Sequence, residues 1–432
     1  MFQRLKNIKI TSDKVIWILI MLFAMISVLA VFSTSTYRAN ANGVSKITYF
    51  FEQMQNVGLG LATLLLCYFI PLKVYRRLSI PIYILSVVLL VLALVNGQTV
   101  NGANRGLVVA GHVIQVLEFA KIGLIFYLAK ALETWGDDIH TLKDFIFRLL
   151  IPIGLTCVCV IPNSASTVVL LGLLSLLTMF FMGIDFKYLA FTIGLAVAGL
   201  ALIFLIYNAA FSDTSKEEGR ELEGIEKIFA RVGTAQNRIL NFKEEFKDEE
   251  TEVSAIKYDK LTAEEKEKID KNRQSENAKI AISEGGIFGK GPGKSTQRFT
   301  LSEAFSDFIY ASIVEEYGLL GGIFIIFLYS IFIFRCIRLC LQCQTAFTQT
   351  LVIGLSCLIA LQAMLHIFVN VRLIPITGHT LPLISQGGNA FIILSGAFGV
   401  LLSVSRHVNE QAAQTDGKQG NSDTIVEEED NE

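Results

Sequence analysis

Charge is what this sequence has least of. Only 18% of its 432 residues are Asp, Glu, Lys or Arg, while 52% are hydrophobic, and a mean hydropathy of +0.53 lies outside the range of soluble globular chains. That scarcity excludes a soluble enzyme or binding module. The seven cysteines are an odd number, and Cys67, Cys157, Cys159 and Cys357 lie within apolar runs where small packing residues belong, so no disulfide framework is implied. Cys336, Cys340 and Cys343 are closer together, but no fourth ligand is near and the histidines are distant, which argues against zinc. The net charge of −2 names no partner, because the charges gather in one loop and the C-terminal tail.

What is abundant is long apolar runs, among them Val15–Thr34, Ile80–Val95, Tyr188–Tyr207 and Phe347–Val369, each near the length a helix needs to cross a bilayer. Taken in order, the runs predict ten spans, near 15–34, 57–72, 79–96, 117–132, 145–162, 165–184, 188–208, 307–334, 347–370 and 388–405. The fold class is therefore an all-α integral membrane protein. The weakest span is the fourth, which carries Glu118, Lys121 and Lys130 and could instead be re-entrant. Charge bias decides for a crossing. With a cytoplasmic N-terminus, the inner short segments hold Arg4, Lys6, Lys9, Lys14, Lys73, Arg76, Arg77, Lys143, Lys187, Arg335, Arg338 and Arg406, and the outer ones only Arg38, Lys46, Arg105 and Arg372. Twelve against four satisfies the positive-inside rule. The organisation is a cytoplasmic segment 1–14, a membrane domain 15–405, an extracytoplasmic loop 209–306 within it, and an acidic, disordered cytoplasmic tail 406–432.

The stretch Gly285–Thr296, GGIFGKGPGKST, looks like a nucleotide-binding glycine loop, but the glycine that spacing requires five residues before Gly293 is missing, because that position is Phe288. No strand pattern precedes it, and the topology puts it outside the cytoplasm. Instead, Thr262-Ala-Glu-Glu265 reads as a capping box opening a helix through about Ile282, with Gly285 or Gly286 placed to end it. Beyond the loop, Lys290, Lys294 and Arg298 bring positive charge, and Glu303 and Asp307 stand four apart at the expected start of the eighth span. At helical spacing both carboxylates share a face. Ionisable groups in or beside a span usually face an internal cavity, which makes this the candidate site. Arg105 and Arg372 lie in other outer loops, and Glu118 and Lys121, one turn apart, either line that cavity or simply neutralise each other. Pro382, Ser385 and the Gly387–Gly388 pair interrupt the helix before the last span.

The runs NGANRG (101–106), EFAK (118–121), GKGPGKSTQ (289–297), EAFSDFIYASIVEEYG (303–318) and GHTLPLISQGG (378–388) together resemble the shape, elongation, division and sporulation (SEDS) family of FtsW, RodA and SpoVE. Five motifs in order cover nearly the whole chain, and GKGPGKSTQ is closer to the cell-division branch, FtsW, than to the rod-elongation branch, RodA. Two departures stand out. Gln115-Val-Leu-Glu118 lacks the proline that the family carries in the second position, and Pro162-Asn-Ser-Ala165 has lost the family's aspartate.

The resemblance implies a ten-span protein of the bacterial inner membrane, both termini cytoplasmic, at the division site. It implies polymerisation of lipid II, a disaccharide-pentapeptide on an undecaprenyl diphosphate, alongside a class B penicillin-binding protein transpeptidase and other cell-division proteins. Contacts are with lipid and not with nucleic acid. The family's catalytic aspartate falls on Asp307. A carboxylate at a half-desolvated helix start, with Glu303 repelling its charge, has a raised proton affinity suited to a general base. The motifs put substrate-binding roles on Arg105, Glu118, Lys121, Gly291, Gly293, Lys294, Ser295, Gln297, Arg298, Arg372, Thr380, Pro382, Ser385, Gly387 and Gly388. A divalent cation held by Asp307 or Glu303 stays open. So do two other activities: a flippase moving lipid II across the bilayer, and a division scaffold without catalysis.

Overall fold

The computed structural model describes residues 12–35, 39, 43–96, 98–100, 103–109, 112–211, 263–301 and 303–429. In chain order the helices are α1 (Lys14–Thr34), α2 (Lys46–Phe69), α3 (Leu72–Asn96), α4 (Val116–Trp135), α5 (Leu142–Phe145 and Ile151–Val160 joined by a π-helical turn, Ile146–Leu150), α6 (Ala165–Phe181), α7 (Phe186–Phe211), α8 (Ala263–Gly285), α9 (Ile309–Gln342), α10 (Ala346–Asn370) and α11 (Asn389–Glu429). Each of the ten apolar runs falls on one of them; α8 is the polar helix expected inside the long loop. Among the described residues five helices are long and apolar enough to cross a membrane on length and composition: α1, α3, α9, α10 and α11.

Beside the helices, which make up the body of the fold, β1 (Gln98–Val100), β2 (Ala103–Val109) and β3 (His112–Ile114) form a small three-stranded antiparallel sheet between α3 and α4. Helix α11 runs from Asn389 to Glu429. Thr262 of the capping box lies outside the described residues, but α8 starts at the next residue and ends at Gly285, where Gly286 turns left-handed at φ +52°.

Local chemistry starts several helices. Ser45, Thr141, Ser164 and Thr345 cap α2, α5, α6 and α10 through side-chain oxygens. Asp13 caps α1 at Val15 N (2.8 Å), accepts from Arg335 Nε of α9 (2.8 Å), and donates its backbone N–H to Ser405 Oγ of α11 (2.9 Å), so one residue ties three helices together.

The apolar side chains divide into an inward and an outward set. On α1, Ile16, Leu19, Ile20 and Phe23 are buried while Ile18, Met21, Met25, Leu29 and Phe32 are exposed, a helix apolar on both faces, as lipid on one side demands. α4 is different. From Ala120 to Phe126 every residue is buried, and it joins a core built on α1, α2, α9, α10 and α11 to one built on α3, α5, α6 and α7. The helix that carries Glu118 and Lys121 is thus one wrapped by protein, where charge can be paired.

Candidate functional site

α9 is broken at Gly318, whose φ of 71° and ψ of −173° are not helical. The break removes the bonds from Leu319 and Leu320 N–H to the carbonyls of Glu315 and Glu316. The glycine loop replaces them. Lys290 N and Gly291 N donate to Glu315 O and Glu316 O, both at 2.9 Å, while Leu319 N and Leu320 N donate to Gly286 O (2.9 Å) and Ile287 O (3.3 Å). Such close backbone approach requires glycine. A Cβ on Gly289 would stand 2.2 Å from Glu316 O, and one on Gly318 2.2 Å from Ile287 O.

The loop does grip an anion, and the anion is its own chain's Glu315. Buried within the break, that carboxylate accepts from Lys290 Nζ (2.8 Å), Thr296 N (2.8 Å), Thr296 Oγ1 (2.9 Å) and Gln297 N (3.3 Å) on one oxygen and from Ser295 Oγ (2.5 Å) on the other. Lys290 also pairs with Glu284 at the end of α8. The hydrogen bond from Lys290 holds the Glu284 carboxyl below its ordinary pKa. Ser295 and the Gln297 amide, proposed from the motif as substrate contacts, therefore serve this splint. Gly291 N–H is likewise committed to Glu316 O. Lys294 is exposed beside Gly293, Arg298 lies in the 3-10 turn Gln297–Phe299, and Arg105 lies on β2.

The splint leads into the turn that carries the acids. Glu303 and Asp307 do not share a helical face, contrary to the sequence expectation, because α9 begins only at Ile309 and residues 303–308 form successive turns. Three consecutive carbonyls of that segment are each held from outside: Phe305 O by Gln386 N (3.0 Å), Ser306 O by Ser385 Oγ (2.8 Å) and Asp307 O by Asn370 Nδ2 (3.0 Å). Ser306 Oγ donates to Glu303 Oε2 at 2.7 Å. Asp307 itself is half-buried.

The holding side is the irregular segment between α10 and α11. Ser385 is buried, donates to Ser306 and accepts from Leu381 N (2.8 Å). Pro382 O accepts from Tyr329 of α9 (2.5 Å), Ile384 O from Ser27 of α1 (2.7 Å), Thr377 O from Ser166 of α6 (3.1 Å), and Gly387 O from Gln115 at the start of α4 (3.3 Å). Thr380 packs near Gly387, where an added Cβ would meet its Cγ2 at 3.5 Å, and Gly388 turns with φ +50°. Arg372 and Leu383 adopt left-handed φ of 55° and 58°, a strain that side chains other than glycine accept only where the surroundings impose it. Gln115 performs its tethering without the family's proline, since Val116 takes the first helical position. Asn163 sits buried in the turn that Ser164 closes as the α6 cap.

Glu118 and Lys121 form a buried ion pair at 2.6 Å. Gln362 of α10 donates to both Glu118 oxygens, at 3.3 and 3.2 Å. Both roles considered for the pair are compatible with this geometry, but mutual neutralisation is the one in place. Gln362, His366 and Asn370 were not picked out as a group from sequence, although their spacing of four in an apolar run is a readable signal of one polar stripe. Among the described residues no three or more His, Cys, Asp or Glu side chains gather as a metal-binding group.

A family model described as "Cell cycle protein", covering FtsW, RodA and SpoVE, matches residues 13–410. The chain is 30% identical over 396 residues to the probable peptidoglycan glycosyltransferase FtsW of Bacillus subtilis (strain 168), covering 90% of this chain and 89% of that one. It is 28% identical over 365 residues to the protein of the same name in Hydrogenovibrio crunogenus, 82% of each chain. In fold it matches the crystal structure of RodA from Thermus thermophilus with a TM-score of 0.59 at 21% identity, covering 91% of this chain and 97% of that one. A chain of a solved peptidoglycan synthase complex matches with a TM-score of 0.66 at 21% identity, covering 92% and 98%.

Proposed function

The chain belongs to the cell cycle protein family of FtsW, RodA and SpoVE, and from that premise we propose that it is a peptidoglycan glycosyltransferase joining lipid II units at the outer face of the cytoplasmic membrane. Relatives named as probable peptidoglycan glycosyltransferases cover most of its length, and the observation that carries the reading to a site is the half-buried Asp307 on a turn clamped at three successive carbonyls. A reacting group held by that many external donors loses little freedom when substrate arrives.

In the proposed reaction a sugar 4-hydroxyl attacks the anomeric carbon of a second unit. The new C–O bond forms, the bond to the lipid diphosphate breaks with its electron pair, and the hydroxyl proton passes to the Asp307 carboxylate. Attack opposite the leaving group inverts the centre and needs no covalent sugar–enzyme intermediate. Glu303, held by Ser306, adds a second carboxylate to the same turn. Arg105, Lys294, Arg298 and Arg372 are the cations for the departing diphosphate, with arginine able to grip two oxygens at once. Lys290 and Lys121 are engaged with Glu315 and Glu118.

The reading takes ten crossings with both termini inside, an arrangement that the twelve-to-four bias of short-loop cations supports, with Asp307 at the outer boundary. A single-span transpeptidase partner at the division site is consistent with the neighbouring structure being part of a peptidoglycan synthase complex. The test supplies labelled lipid II to the protein copurified with its cognate transpeptidase. Glycan strands from the wild type and none from Asp307→Ala support the polymerase; lipid II translocation without polymer would identify a flippase, and polymer unchanged in the variant would remove Asp307 as base.

A further inference from the structure

We infer that Asn370, the last residue of α10, is a positioning residue for Asp307, acting through the backbone of the turn that carries it. This rests on the proposed role of Asp307. The helix that follows Asp307 lacks a cap of its own, since Phe308 offers no side-chain hydrogen bond. Asn370 supplies one from another helix: its Oδ1 accepts from Ala311 N at 3.0 Å, in the first turn of α9. Its Nδ2 donates in two directions, to Asp307 O at 3.0 Å and to His366 O at 2.8 Å. The side chain is fully buried. One amide thus fixes both where α9 begins and where the residue two before it lies.

The same stripe continues inward. His366, one turn earlier, sets Nδ1 2.8 Å from His379 O in the segment that holds Ser306 and Phe305, and Gln362, a further turn on, binds Glu118. The last two turns of α10 therefore link the buried ion pair to the Asp307 turn.

Asn370→Asp separates the two functions of the amide. An aspartate keeps an oxygen for Ala311 N, at a helix N-terminus that favours negative charge, but has no donor for Asp307 O or for His366 O. If Asn370 positions Asp307, this variant folds, keeps its KM for lipid II within about threefold, and loses roughly 10²-fold in kcat, the cost of displacing a reacting group by about 1 Å. A merely structural Asn370 would leave kcat in step with the amount of folded protein, and equal kcat in wild type and variant overturns the proposal. Hydrogen exchange of the peptide spanning 303–312 gives a readout that does not depend on activity. Faster exchange confined to that peptide in Asn370→Asp and Asn370→Ala is expected, and unchanged exchange in both also overturns it. Should the wild type itself make no polymer, the proposed function fails on its own, while the exchange result still decides whether Asn370 holds the turn.

Discussion

Replacing Glu315 by glutamine is the sharpest probe of the splint across the α9 break. The side chain keeps its shape, but the charge goes and one oxygen becomes an NH2. The geometry says where the amide will turn. Four donors converge on one carboxylate oxygen and only Ser295 Oγ on the other, so the NH2 takes the Ser295 side, where a hydroxyl can reverse its role and accept. The four bonds at the other oxygen survive as neutral-acceptor bonds. Charge-assisted hydrogen bonds are roughly twice as strong as neutral ones, so weakening the two best placed, from Lys290 Nζ and Thr296 N, costs about 1 kcal/mol each. Leaving Lys290 with the exposed Glu284 as its remaining paired carboxylate adds a fraction more. The sum is about 2 to 3 kcal/mol, or on the order of a 10²-fold rise in the population of the open loop. Hydrogen exchange of amides 286–297 in detergent measures this directly, with α1 and α10 as internal references. Exchange within about threefold of the wild type would refute the claim that Glu315 anchors the loop.

Gly289→Ala places a Cβ 2.2 Å from Glu316 O at a residue with φ +80°, so it should destabilise the splint by about 2 to 4 kcal/mol and lower the yield of monodisperse protein. Glu118→Gln leaves Lys121 buried without a countercharge, an expected loss of about 3 to 5 kcal/mol seen as earlier unfolding in detergent, and Glu118→Leu combined with Lys121→Met should lose less. Glu284, with its lowered pKa, contributes stability that is present above the ordinary carboxyl value of 4.5 and is lost as pH falls below it. The thermal midpoint of the wild type should therefore drop more between neutral pH and about pH 4 than that of Lys290→Met.

The helices were legible because lipid imposes long apolar runs, and every run falls on a helix. α4 was the hardest to read for a physical reason: buried by protein on all sides, it needs no uniformly apolar surface and can hold Glu118 and Lys121 as a pair. The sheet between α3 and α4 has only one sequence signal, Asn101-Gly102 flanked by valine and alanine, because strands of three residues are too short to show an alternating pattern. At the site, the acids were found by their type and setting. Their helical phasing was wrong because α9 takes its cap from Asn370, a residue 63 positions beyond Asp307, and nothing local marks that start. The glycine loop shows the same limit more plainly. Gly-Lys-Ser-Thr chemistry announces an anion, but that the anion is Glu315, brought back by a break in the next helix, is a property of the fold and not of the motif.

The measurement that bears most directly on the whole account is the glycan product formed from labelled lipid II by wild type and Asp307→Asn, each copurified with the transpeptidase and each checked for native exchange across 286–312. The account predicts long strands from the wild type and at least a roughly 10³-fold slower polymerisation from the isosteric amide, which has no basic oxygen to take the proton. Strands of equal length and rate from both, with the turn intact, would contradict it.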